Sequence, residues 1–118
     1  MDIIFKIMYI VFNSKKIKKV CENFELAKKK HGEVVAKSLI KRLDQIKAFP
    51  ELGDFILSRL GHCHPLEGSR KGQFAVDLDK KKRLVFKPVI DEYTKVGELD
   101  FYKVKKVIVL EVKNYHHG

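Results

Sequence analysis

Apolar and polar positions follow one period in the first half of the chain and another in the second. The run Ile3–Phe12 is apolar except for Lys6, and its β-branched and aromatic residues read as a buried strand. Asn13-Ser14 then supplies a helix N-cap pair. Ile17, Val20, Cys21, Phe24 and Ala27 recur at i, i+3, i+4, i+7 and i+10, the spacing of one helix face, with lysines filling most of the rest. Gly32 suits the left-handed turn that ends such a helix. A second helix is predicted from about Glu33 to Phe49, with Val35, Ala36, Leu39, Ile40, Leu43 and Ile46 apolar and Pro50 as its stop. Two amphipathic helices across one glycine turn make an antiparallel hairpin.

Between Glu51 and Gly72 the pattern is irregular, with Leu52, Phe55, Ile56, Leu57 and Leu60 suggesting one short helix. Phe74, Val76 and Leu78 then alternate with Gln73, Ala75, Asp77 and Asp79, the period of a half-buried strand. Asp79–Lys82 reads as a turn, Arg83–Lys87 as the returning strand, and Pro88 as its end. Asp91–Asp100 holds four acids and one lysine and reads as a loop or a loop-like hairpin extension. Val104–Val112 is the last strand, with Val107, Val109 and Leu110 expected inside. The order β-α-α-(short α)-β-β-β predicts an α+β fold, a helical hairpin packed on a small antiparallel sheet. A single domain over residues 1–118 is expected, since 118 residues bury one core but hardly two.

Composition narrows the class. Lys and Arg number 25 against 15 Asp and Glu, a formal charge of +10, while a hydrophobic fraction of 45% disfavours disorder. Cys21 and Cys63 stand at no metal-ligand spacing, which argues against a zinc site or a disulfide scaffold and favours a reducing cytoplasm. The N-terminal run is shorter than the roughly 20 residues that span a bilayer. It also lacks the flanks of a signal peptide, so no membrane association is expected. Met8 lies inside this run, and translation from Met1 or from Met8 fits equally. The positive charge attracts polyanions, nucleic acid foremost, without choosing among DNA, RNA and an acidic protein.

Chemistry concentrates in three places: the loop Gly61–Gly72, Arg83, and the terminal Tyr115-His116-His117. His62-Cys63-His64 invites a metal, but four ligands at a recognised spacing are missing, and no metal or other cofactor is expected. The stretch Gly68–Gly72 lacks the phosphate-loop pattern. Arg70, Lys71, Lys80, Lys81, Lys82, Arg83 and Lys87 fall within eighteen residues, with only Asp77 and Asp79 to offset them. A hairpin that gathers them on one side makes a groove for a phosphate backbone, in which Arg70, Lys71, Lys80, Lys82 and Lys87 are the expected contacts. Metal-free RNA cleavage needs a base for the 2′-hydroxyl, cations for the phosphorane and an acid for the 5′-oxygen. His64 and His116, with Arg70, Lys71 and Arg83, contain these by type, and Tyr115 is suited to stacking on an unpaired base.

The run His64-Pro-Leu-Glu-Gly-Ser-Arg-Lys-Gly-Gln-Phe-Ala-Val-Asp-Leu78, followed by Arg83-Leu-Val-Phe86, resembles the RelE/ParE toxins, nearest their HigB-type, plasmid-maintenance branch. Phe12–Cys21 and Gly32–Leu39 fit the helical hairpin of that family, and Asn114-Tyr115-His116 is similar to its Asp-Tyr-His ending. The resemblance spans residues 8 to 116 and implies a two-helix hairpin on a curved antiparallel sheet. It further implies the toxin of a type II toxin–antitoxin pair, an endoribonuclease that cuts mRNA in the 30S ribosomal A site without metal and leaves a cyclic phosphate. Its implied partner is a HigA-like DNA-binding antitoxin, through which alone the chain would meet operator DNA. By motif, His64, Arg83, Tyr115 and His116 match the catalytic positions, and Arg70 or Lys71 the phosphate contacts. Two departures stand out: Asn114 replaces the family's Asp, and the acidic insert Asp91–Asp100 lengthens the last hairpin. Two other readings stay open, a ParE-like non-catalytic inhibitor of DNA gyrase and an inactive relative that only binds protein. The terminal Tyr-His pair argues against the first.

Overall fold

A computed structural model describes residues 8–90, 95–96, 98–99 and 103–115. It opens with strand β1 (Tyr9–Phe12) and helices α1 (Lys15–Glu22), α2 (Phe24–His31), α3 (Glu33–Lys47) and α4 (Leu52–Ser58). There follow a 3-10 turn (Leu60–His62), β2 (His64–Pro65), a second 3-10 turn (Gly68–Arg70), β3 (Phe74–Asp77) and β4 (Lys82–Pro88). Last come β5 (Lys95–Val96), β6 (Glu98–Leu99) and β7 (Lys106–Asn114). The fold is α+β, as expected.

The first helix is two. Ser14 caps α1 by accepting from the Ile17 amide, but at Asn23 the backbone extends (φ −129°, ψ 105°). The Asn23 side chain then accepts from the Leu26 amide and starts α2. An Asn that offers a cap competes with helix continuation, and here the cap wins. Gly32 takes φ +89° at the hairpin turn, a conformation that glycine adopts without Cβ strain. In α3, Val35, Ala36, Leu39, Leu43 and Ile46 are buried as expected, while Ile40 faces out. Leu57 is 75% exposed on α4, where Leu52 and Phe55 face the core.

Five strands lie in the order β1-β7-β4-β3-β2. All their pairings are antiparallel except one: β1 runs parallel to β7, Tyr9–Phe12 against Lys106–Val109. The expected all-antiparallel sheet is therefore mixed. The two strands are joined through the rest of the chain, and no local hairpin dictates their direction. Within the acidic insert, β5 and β6 pair antiparallel, a hairpin extension as one of the two expectations had it.

One face of the sheet carries the core. Phe74, Val76, Leu84, Phe86, Val107 and Val109 meet the buried stripe of α3 and the side chains of Leu52 and Phe55. Phe49, Phe55, Phe86 and Phe74 form a chain of ring contacts with centroids 5.8, 6.4 and 5.9 Å apart. A β-bulge between Val85 and Phe86 shifts the register against β7, so that Leu110 is half-buried rather than inside. The opposite face presents His64, Ala75, Val85 and Glu111 in one cross-strand row. Asp77, Arg83 and Lys113 form the next.

Candidate active site

A side chain and its directly paired neighbours share a face of the sheet, so these two rows set the site. Ala75 is buried with almost no side chain, and it leaves room above β3 that Leu66, Arg70, Arg83, Val85, Lys113, Asn114 and Tyr115 surround. The space measures about 190 Å³. The loop's second 3-10 turn brings Arg70 to it, and β2 brings His64 alongside Arg83.

Contacts in the pocket are polar and directional. The Arg83 guanidinium lies 3.6 Å over the Tyr115 ring centroid, a cation–π stack. Its Nη1 is 3.3 Å from His64 Nε2, and its Nε is 3.1 Å from Asp77 Oδ1. His64 Nδ1 is 2.8 Å from the His62 carbonyl. A carbonyl only accepts and a guanidinium only donates, so Nδ1 of His64 carries its proton and Nε2 turns a lone pair toward Arg83 Nη1. Arg70 Nη2 donates to Glu111 Oε2 at 2.8 Å. His62 Nδ1 lies 3.5 Å from Asp77 Oδ2, and the His62 and His64 rings tilt together with centroids 5.1 Å apart.

Of the sequence-predicted residues, Arg70, Arg83 and Tyr115 line the pocket, and His64 stands beside it against Arg83. His116 lies outside the described residues. The remaining cations do not gather as expected. Lys82 Nζ is 2.9 Å from His31 Nδ1 on the helical hairpin, on the opposite side from Arg83, because adjacent strand residues face opposite ways. Lys71 lines a separate groove with Pro65, Glu67, Phe74 and Pro88. Lys80 and Lys81 are exposed in the β3–β4 turn, where Asp79 Oδ1 accepts from the amides of Lys81 and Lys82. Lys87 is exposed further along β4, opposite Ile108.

Asp77, Glu111 and Lys113 were not singled out as site residues by sequence reasoning. Glu111 had a signal, a lone acid inside the apolar run Val107–Val112. So did Asp77, an acid just before a turn with a base just after it. Among the described residues no group of three or more His, Cys, Asp or Glu is placed to hold a metal ion. None of their helices is long and apolar enough to cross a membrane. Both thiols are removed from chemistry near neutrality, since burial pushes Cys21 and Cys63 up to about 12.

No protein-family model and no curated protein sequence matches the chain. Solved structures do. A YoeB/ParE toxin from Agrobacterium tumefaciens superposes with a TM-score of 0.55 at 14% identity, over 92% of this chain and 100% of that one. A YoeB dimer from Staphylococcus aureus gives 0.54 at 14% identity, covering 93% of this chain and 98% of the other. A YoeB–YefM complex from the same organism gives 0.53 at 15% identity, with the same two coverages. The fold is that of the YoeB/ParE toxins. At this identity the likeness is one of backbone architecture, and the side chains of the pocket must carry the functional argument.

Proposed function

We propose that this chain is the toxin of a toxin–antitoxin pair and acts as a metal-independent mRNA endonuclease on the ribosome. One observation carries the reading: the Arg83 guanidinium at the pocket meets a histidine with a fixed lone pair and a stacked tyrosine. That combination suits RNA better than DNA, because the base has a 2′-hydroxyl to act on. His64 Nε2 takes the 2′-hydroxyl proton, and the freed oxygen attacks the adjacent phosphorus. Arg83 and Arg70 offer N–H groups to the phosphorane oxygens, where charge develops. The bond to the 5′-oxygen breaks, His116 returns a proton to that oxygen, and a 2′,3′-cyclic phosphate remains. Tyr115 stacks on an unpaired base beside the scissile bond. No step asks for the carboxylate that the HigB-type ending would place at Asn114.

The partner is an antitoxin, supported by the YoeB–YefM complex among the structural neighbours and by the exposed cations that an acidic segment would cover. Inducible expression with mapping of mRNA 5′ ends, with and without translation, tests the proposal. The expected result is new ends only on translated messages, reduced about 100-fold or more by Arg83→Ala. Intact mRNA with accumulating DNA cleavage complexes would instead identify a gyrase inhibitor, and growth inhibition undiminished by Arg83→Ala and His64→Ala would remove the pocket from the mechanism.

A further inference from the structure

We propose that Asp77 is the positioning residue of the pocket, aiming the Arg83 guanidinium and linking it to the two histidines; this rests on the RNA-cleaving reading above. Asp77 ends β3 and pairs directly across the hairpin with Arg83. Its Oδ1, buried and without a hydrogen bond, lies 3.1 Å from Arg83 Nε as an ion pair, and Oδ2 lies 3.5 Å from His62 Nδ1. This single-sided contact matters. A carboxylate that met both Nη atoms would occupy the fork that a phosphate needs, whereas an ion pair on the Nε side holds the guanidinium by charge and leaves that fork unoccupied by Asp77. One of those Nη atoms already reaches His64 Nε2.

Asp77 is itself held from the far side. Arg42 of α3 donates from Nε to the Asp77 carbonyl at 2.8 Å and from Nη1 to Gln45 Oε1 at 2.9 Å. The helical hairpin therefore fixes the strand end, the strand end fixes the carboxylate, and the carboxylate fixes the guanidinium. The same charge answers an electrostatic need. When His64 gains the 2′-hydroxyl proton it becomes a cation beside Arg83, and an anion within the cluster offsets that repulsion.

Asp77 touches no substrate atom, so its loss acts on rate through Arg83. Single-turnover cleavage on ribosomes programmed with a defined mRNA is measured for Asp77→Ala, Arg83→Ala and the double variant. Asp77→Ala lowers the rate at saturation ~10- to 100-fold, the scale of a slightly misplaced catalytic group, with half-saturation little changed. Added to Arg83→Ala, it costs less than about 2-fold more, because the two residues act as a unit. Independent, multiplying effects overturn the proposal, as does a wild-type rate in a folded Asp77→Ala protein. Asp77→Asn keeps the shape and serves where Asp77→Ala does not fold. A second measurement needs no cleavage at all: the Arg83 side-chain resonances, identified by their loss in Arg83→Lys, carry the ring-current shift of a guanidinium stacked on Tyr115 in the native protein and lose it in Asp77→Asn. An unchanged shift overturns the positioning role. Wild-type protein that leaves translated mRNA whole overturns the endonuclease reading instead, and the ring-current result still stands.

Discussion

Arg83 shows how much one side chain of this protein depends on three others. Asp77, His64 and Tyr115 each meet a different part of its guanidinium, and the side chain as a whole is only 19% exposed. His31 is the opposite case, a titratable group held back from its charge. Burial, then the charges of Lys82 and Lys30, keep its imidazole below the usual 6.5, and Lys82 Nζ donates to its Nδ1. The folded protein thus favours neutral His31 more than the unfolded chain does. Its contribution to stability is present above about pH 6.5 and is lost as pH falls through the lowered folded value. Thermal unfolding followed from pH 7.5 to 5 should show a midpoint that falls by a few degrees more in wild type than in His31→Gln. Equal pH profiles for the two proteins would remove His31 from the acid response. At this scale the sequence was legible where side-chain type limits chemistry: Arg70, Arg83 and Tyr115 share one pocket, with His64 beside it against Arg83. It misled at Lys82, where adjacency to Arg83 in the chain suggested a common groove although strand alternation separates them.

Elements were legible in proportion to how local their causes are. The α2–α3 hairpin follows from helical spacing and Gly32, and the β3–β4 hairpin from alternation around a polar turn. The break at Asn23 was written in the sequence as a cap residue, yet the apolar stripe running through it spoke for one helix. The parallel pairing of β1 with β7 had no local signal, because its partners stand at opposite ends of the chain. A longer-range link is testable at Gly61, which lies at φ +64° against α3. A Cβ there would come within 2.7 Å of Arg42 Nε, the atom that donates to the Asp77 carbonyl. Gly61→Ala therefore costs about 1–3 kcal/mol through backbone strain and also displaces Arg42. Chemical denaturation checks the stability, and a drop in RNA cleavage beyond that of an equally destabilised core variant checks the link from helix to strand end.

Charge is where the view of the whole molecule changes most. The formal +10 suggested a broad polyanion surface, but the structure divides that charge by position. Lysines cover the outer sides of α1, α2 and α3, Lys82 is turned to His31, and Lys71 lies in another groove. Among the described lysines and arginines, Arg70, Arg83 and Lys113 line the pocket, and acids meet the two arginines there. The two distributions predict different salt dependence for binding a short, uncleavable 2′-O-methyl RNA. Each phosphate neutralised on a single strand adds about −0.7 to the slope of log affinity against log salt. Three pocket cations give a slope near −2, while engagement of all ten excess charges would give about −7. Fluorescence anisotropy across a range of salt concentrations separates these values. A slope near −2, lowered by about one phosphate's share in Arg83→Ala and unchanged in Lys71→Ala, would place recognition in the pocket. A steep slope shared equally by helix lysines and pocket arginines would make the RNA contact a property of the whole surface, with the pocket acting after capture.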